Sequence, residues 1–292
     1  MNSTALTLRT LAPLGAIALA WMPSAPWAAC TRAIEAPVAP TARHIVIDGD
    51  NASGPYVDFM RHVASSAACS VLMPVMPRPR LDRMFFSDRT DILFPASQTS
   101  ARDRRGVFVP WLIMQPRVVM AKARSEPVQS LQSLLESKDW HGVVVRGYHW
   151  GDRYDAFIEE LESRGRLTQV ADLKQVLIML RADRAKFSIL PSSLLLTPDP
   201  AGSRQADVPD DLVLHRVADL PPASVGMYLN PRRLSADEID PLRRAALQAA
   251  RSGVLSASLR RYYGREAFAM DISVPLETHQ RVDLTSQGPS AR

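Results

Sequence analysis

The stretch DILFPASQTSARDRRGVFVPW, residues 91–111, decides how this chain is read. Its first five residues form a short apolar run suited to a buried strand. Ser97, Thr99 and Arg102 follow directly. In an open α/β sheet, ligands bind beyond the carboxyl ends of the strands. The hydroxyls of Ser97 and Thr99 and the guanidinium of Arg102 are therefore placed where a ligand could be held. Arg102 offers a planar fork that matches a carboxylate, which Lys could not reproduce. At this point the plainer alternative stays open, in which Arg102 joins Arg104 and Arg105 in a solvated helical turn.

Elements on either side give the stretch its context. Upstream, HIVID (44–48) reads as a strand and a helix starts at Pro55, with Tyr56, Phe59, Met60, Val63 and Ala67 on one face. Residues 71–76 read as a strand and 81–86 as a short helix. The order β-α-β-α-β implies a parallel sheet covered by helices. Downstream the theme repeats: strand GVVVR (142–146), the aromatic turn GYHWG (147–151), a helix striped by Tyr154, Phe157, Ile158 and Leu161, strand 167–170, a helix striped by Leu173, Val176, Leu177 and Leu180, and strand 186–190. Between the halves, PRVVMAKAR (116–124) is extended. Residues 198–209 read as a surface loop. Strands 212–217 and 224–229 then precede a capping box, Ser235 with Glu238, and two helices.

Composition narrows the function classes. The chain has 292 residues, 46% hydrophobic and 22% charged, which suits a globular protein and excludes disorder and multiple membrane spans. The net charge of +5 is dispersed, whereas a nucleic-acid binder needs a clustered basic face. Residues 1–29 read as an export signal: Arg9, an apolar run at 11–22, then small and turn-prone residues. That run is about 12 residues, short of the roughly 20 that span a bilayer. Two cysteines remain, Cys30 and Cys69. An exported compartment permits their disulfide, while acylation of Cys30 or two free thiols are the alternatives. The chain lacks G-x-S-x-G, H-E-x-x-H, the P-loop and G-x-G-x-x-G patterns. Its six histidines show no metal-ligand spacing, so neither metal nor cofactor is expected, and the methionines read as packing.

The order of elements, Asp91 ahead of its strand, the T-x-x-R of residues 99–102, and Phe108, Pro110 and Trp111 resemble the periplasmic solute-binding proteins of family 3. These deliver polar amino acids and similar solutes to ABC importers. The likeness spans residues 42–264, and its weight lies in the collinearity of short motifs. It implies an α/β fold of two lobes, the Venus-flytrap form, each a mostly parallel sheet flanked by helices, joined by two extended hinge crossings. Lobe 1 is expected at 30–118 plus 223–267, lobe 2 at 119–222, and a flexible tail at 268–292. By resemblance, Arg102 holds the ligand's carboxylate and Ser97 and Thr99 add hydrogen bonds. Tyr148, His149 and Trp150 close from the second lobe, and Pro77 or Arg78 forms one wall. The three bulky residues could equally pack the lobe interface.

Departures from that pattern bear on the ligand. Amino-acid binders of the family carry an acidic residue after a second-lobe strand to pair with the ligand's ammonium. This chain has Leu190-Pro191-Ser192 there, and Lys186 replaces another usual acid. The first-lobe loop lacks a stacking aromatic, and Asp48 and Asp50 read as a solvated turn. The expectation is therefore a periplasmic, monomeric, non-enzymatic binder of a small polar solute that bears a carboxylate or an aromatic ring. Its partner would be an ABC-transporter permease. A ligand-sensing partner of a membrane receptor is the alternative, and an enzyme on the same fold a third reading.

Overall fold

The computed structural model describes residues 30–196, 208–263 and 272–273. The expected leader, most of the expected loop at 198–209, and the expected tail apart from 272–273 lie outside the described residues. The first sheet starts at β1 (Ile34–Glu35). A hairpin follows, β2 (Val46–Asp48) with β3 (Asn51–Ser53), then α1 (Pro55–Ser66) and β4 (Val71–Leu72). β4 runs parallel to β1, with Val71 opposite Ile34. Helix α2 (Arg78–Phe86) leads to β5 (Ile92–Ser97), every residue of which is buried.

HIVID is thus not the first strand of the parallel sheet, contrary to expectation. It lies largely in the β2–β3 hairpin, where Val46 is 41% exposed. The sheet's first strand comes ten residues earlier, with Ile34, Ala36 and Val38 fully buried and Val38 bridged to Val75. A β-branched run suits an exposed hairpin as well as a core strand, and Pro37 and Pro40 disguise the true one.

After the one-turn helix α3 (Ser100–Asp103), β6 (Val107–Met114) and β7 (Pro116–Ala121) form one nearly continuous ribbon. Only Gln115 separates them. The second sheet adds α4 (Leu131–Glu136), unforeseen from sequence, and then β8 (Gly142–Val145), α5 (Asp152–Ser163), β9 (Leu167–Val170), α6 (Leu173–Arg181), β10 (Ser188–Pro191) and β11 (Leu212–His215). The chain returns through β12 (Ala223–Leu229) to α7 (Ala236–Arg251) and α8 (Val254–Tyr263). Ile272–Ser273, within the stretch expected as a flexible tail, add β13 on the outer edge of β6.

The two sheets share one plan. In the first, β4 and β1 are parallel, the Asp91 N–H donates to the Glu35 carbonyl at the head of β5, and β12 and β6 follow antiparallel. In the second, β9 and β8 are parallel, Val143 bonds Phe187 ahead of β10, and β7 and β11 follow antiparallel. Helices α1, α7 and α8 cover the first sheet, and α5 and α6 pack on the second. No helix among the described residues is long and apolar enough to cross a membrane.

Pro110 shapes the ribbon. It cannot donate to a ladder, and the pairing skips from Leu112–Val225 to Pro110–Gly226, leaving Trp111 as an extra residue on β6. Such a bulge re-aims a side chain. The fully buried Trp111 ring lies edge-on to Phe59 at 4.8 Å and 5.9 Å from Phe94, joining α1 to the sheet. Gly226 faces the bulge so closely that a Cβ there would sit 2.0 Å from the Val109 carbonyl oxygen. Asp91, at the far end of β5 from Ser97, takes Arg32 (2.5 and 2.7 Å), Arg233 (2.6 Å) and the Glu35 N–H (2.8 Å).

Cys30 and Cys69 are joined in a disulfide that ties the N-terminal arm to the end of α1. Replacing both with Ser is expected to lower stability by roughly 4 kcal/mol through loop-closure entropy, read from the urea midpoint; equal midpoints with and without reductant would contradict it. Gly226→Ala is expected to cost about 3 kcal/mol, because backbone rather than a flexible side chain must yield. An unchanged midpoint would show that β6 and β12 are not so tightly joined.

Candidate functional site

Four segments meet between the two sheets: the loop after β1, the start of α2, the end of β5 with α3, and the turn 147–151. Thr99 holds its turn by accepting from the Arg102 N–H (3.3 Å), and its own N–H donates to the Tyr228 hydroxyl (3.2 Å). That hydroxyl donates in turn to Asp103 (2.7 Å). Arg102 is thereby aimed inward, and it is only 2% exposed. Its Nε and Nη2 donate to Asp82 Oδ1 at 3.1 and 2.6 Å, and its Nη1 to the Ser97 carbonyl at 2.9 Å. The fork meets a carboxylate, but one supplied by α2 of the same chain.

Arg78, one helical turn before Asp82, is also buried. Its Nη2 donates to the Pro95 carbonyl (3.0 Å) and its Nε crosses to the Gly147 carbonyl (3.3 Å). The guanidinium lies 5.7 Å from the Tyr148 ring centroid. Both hydrogen-bond acceptors are neutral, so two buried guanidiniums share one carboxylate. Burial alone would raise the Asp82 carboxyl, but attraction from Arg102 and Arg78 outweighs it and holds the group below the usual carboxylate range. Burial lowers the Arg78 guanidinium, with Arg102 opposing Asp82's help; the side chain nevertheless stays charged. The cluster carries a net positive charge in a desolvated place.

Arg78, Tyr148, His149, Trp150, His44, Tyr56 and Ser97 line a small space. Thr41, Pro95, Met114, Leu194 and Val225 line it too, and among the described residues no Asp or Glu does. About 30 Å³ is open to the centre of a water molecule, the room of about two waters. His44 and Tyr56 stack with ring centroids 4.6 Å apart, and Tyr148 meets Trp150 edge-on at 5.8 Å. Burial pushes the His44 imidazole down to about 3, so it is neutral at physiological pH. Trp150 is anchored by its Nε1 donating to the Ile189 carbonyl (3.2 Å).

Several contacts hold the two sides together. Tyr148 and Thr41, from opposite sides, line the same space. The Ser100 N–H and hydroxyl both donate to Asp152 at the start of α5, the former at 2.9 Å. Gln115, at the switch between sheets, donates to the Leu220 carbonyl (3.1 Å) and so joins the two crossings. Gly147 has φ 80°, and a Cβ there would touch Arg78 and Asp82. That position therefore favours glycine for its backbone.

Ser97, Arg78, Tyr148, His149 and Trp150 line this space together. Thr99 and Arg102 do not. With Tyr148 and His149 they border a second, more open cavity of about 330 Å³ beside the Asp155, Glu159 and Glu162 face of α5. His149 stands between the two, with Nδ1 2.9 Å from Asp155 Oδ1. Sequence reading missed Asp82, His44, Tyr56 and the latch residue Asp152. Asp82 had one visible signal, its place four residues after Arg78 on a helix.

No family model matches the chain, and no curated protein matches it. Solved structures do. An L-arginine-bound amino acid ABC transporter substrate-binding protein, AbpA of Streptococcus pneumoniae, aligns with TM-score 0.62 at 14% identity, over 82% of this chain and 94% of that one. The chain has the fold of the periplasmic solute-binding proteins. A histidine kinase sensor domain with similarity to periplasmic binding proteins aligns with TM-score 0.63 at 15% identity, over 84% and 98% of the two chains. An ancestral amino-acid-binding protein described as a precursor of cyclohexadienyl dehydratase aligns at 0.60 and 13%, over 80% and 95%. On this fold the space just described lies in the cleft between lobes.

Asp82→Ala is expected to destabilise the protein by about 3 kcal/mol at neutral pH, because it strands a buried guanidinium. Since the folded Asp82 carboxyl titrates below its ordinary value, its contribution is present above that value and is lost as pH falls through the lowered one. The gap between wild type and variant should narrow in acid. A gap that stays constant from pH 7 down to pH 2 would contradict the pairing.

Proposed function

We propose that this chain is an exported solute-binding protein that closes two lobes on a small solute bearing a carboxylate or an aromatic ring and delivers it to an ABC importer. The observation that carries this reading is the buried Arg78 guanidinium. It lines the cleft, its hydrogen bonds go only to carbonyls, and the nearest carboxylate is engaged by Arg102. A desolvated cation without a full counter-charge is costly, and an anionic solute supplies that charge. In this reading Arg78 contacts the solute from α2, Ser97 adds a hydroxyl, and Tyr148 and Trp150 close from lobe 2. Arg102 acts through Asp82 as a positioning residue, and Thr99 sets the turn that carries it.

Lobe 1 is assigned to 30–114 with 223–263 and lobe 2 to 116–196 with 208–222, with Gln115 as the hinge position. Closure by hinge motion suits a cleft too narrow, as it stands, for a guest much larger than water. The leader-like residues 1–29, together with the disulfide, favour a periplasmic location. A binder rather than an enzyme is favoured because, among the described residues, no carboxylate lines the space and His44 is held neutral, which leaves His149, paired with Asp155, as the candidate acid or base there. The sensor domain among the structural neighbours supports a second reading, a ligand-sensing partner of a membrane receptor. A permease gene beside this one would favour transport, and a sensor-kinase gene the other.

Ligand binding raises the melting temperature by mass action, so a thermal-shift screen of carboxylates, amino acids and aromatic acids tests the proposal. Arg78→Met is expected to abolish every shift while leaving the melting temperature without solute unchanged or higher, since a desolvated cation is replaced by a well-packed apolar chain. A full ligand response in this variant would refute the assignment of Arg78.

A further inference from the structure

Resting on the solute-clamp reading, we infer that the solute is a planar, single-ring carboxylate that lacks an ammonium group. Three observations narrow it. The first is charge. Arg102 is already matched by Asp82, leaving Arg78 as the unmatched charge, and that charge is positive. A guest's carboxylate is drawn to it. A guest's ammonium would meet carbonyls, hydroxyls, rings and the His149 imidazole beside a buried cation, because among the described residues neither Asp nor Glu lines the space. Leu194 occupies the second-lobe wall just past β10, with Ser192 and Ser193 buried beside it. An α-amino acid would therefore bury its ammonium without a counter-charge, at a cost that cancels the gain from its carboxylate.

The second observation is shape. Four rings line the space: those of His44 and Tyr56, 32° from parallel, and those of Tyr148 and Trp150, edge to face. A planar guest fits between such plates with offset or edge contacts, while the neutral His44 adds no charge to attract or repel it. The third is size. As it stands the space holds about two waters, so a guest of one ring needs far less opening than a guest of two.

The test uses the purified protein and calorimetric titration with benzoate, phenylacetate, L-phenylalanine, L-arginine, propionate and succinate. Benzoate or phenylacetate is expected to bind at least about a hundredfold tighter than L-phenylalanine, and about tenfold or more tighter than propionate. Arg78→Gln should remove the response to both aromatic acids. Tyr148→Leu should weaken benzoate and phenylacetate about tenfold more than it weakens propionate, removing the preference for a ring; an equal loss for all three would overturn the ring requirement. Equal or tighter binding of L-phenylalanine or L-arginine would overturn this inference and leave the clamp standing. Equal binding of propionate or succinate would likewise overturn it through the ring requirement. Silence toward every compound in the panel would overturn both the inference and the clamp.

Discussion

One carboxylate between two buried arginines organises the centre of this molecule. Asp82 draws Arg102 across from α3 and so fastens the end of β5 to α2. It leaves Arg78, on its own helix, with carbonyl partners alone. Because the Gly147 carbonyl belongs to the other side of the cleft, the same guanidinium also bridges the lobes. Packing, charge and lobe contact are thus set at one place, among aromatic rings. In such surroundings electrostatic interactions are stronger than at the surface, and an unmatched charge is felt more.

The alternation of elements was readable because buried strands and amphipathic helices carry different periods. The stripes on α1, α5 and α6, the capping box at Ser235 and Glu238, and the run of β5 all formed as their spacing predicts. HIVID misled because β-branched composition does not distinguish an exposed hairpin from a core strand, and the actual first strand is cut by prolines. Short α4 and the bulge at Trp111 left no periodic trace. The bulge follows from pairing a proline against Gly226, which depends on register and not on local propensity.

For the cleft, sequence reading supplied the neighbourhood but not the pairings. It named Arg102, whose placement after β5 follows from chain order, and it named Arg78 only as a wall. Which guanidinium is matched depends on Asp82, an acid that looks like any solvated helix residue until α2 packs against α3. His44 and Tyr56 lie twelve residues apart on opposite sides of a hairpin, and no spacing rule joins them. Their stacking is a consequence of the β2–β3 turn bringing the start of α1 back to the loop after β1, where the Tyr56 N–H donates to the His44 carbonyl.

In the proposed clamp, closure and binding are coupled through the same charge. If the lobes part, Arg78 loses Gly147 and gains water, which lowers the energy of its guanidinium. If they meet, the guanidinium is desolvated, and its bond to Gly147, the Ser100–Asp152 contact and apolar packing oppose that cost. A solute shifts such an equilibrium only by its differential affinity for the two states. An anion beside Arg78 gains most where water is absent, so it favours the closed form far more than the open one. The charge imbalance that makes the cleft poor as pure structure is what would let an anionic guest, and not a zwitterion of zero net charge, act as the agent of closure.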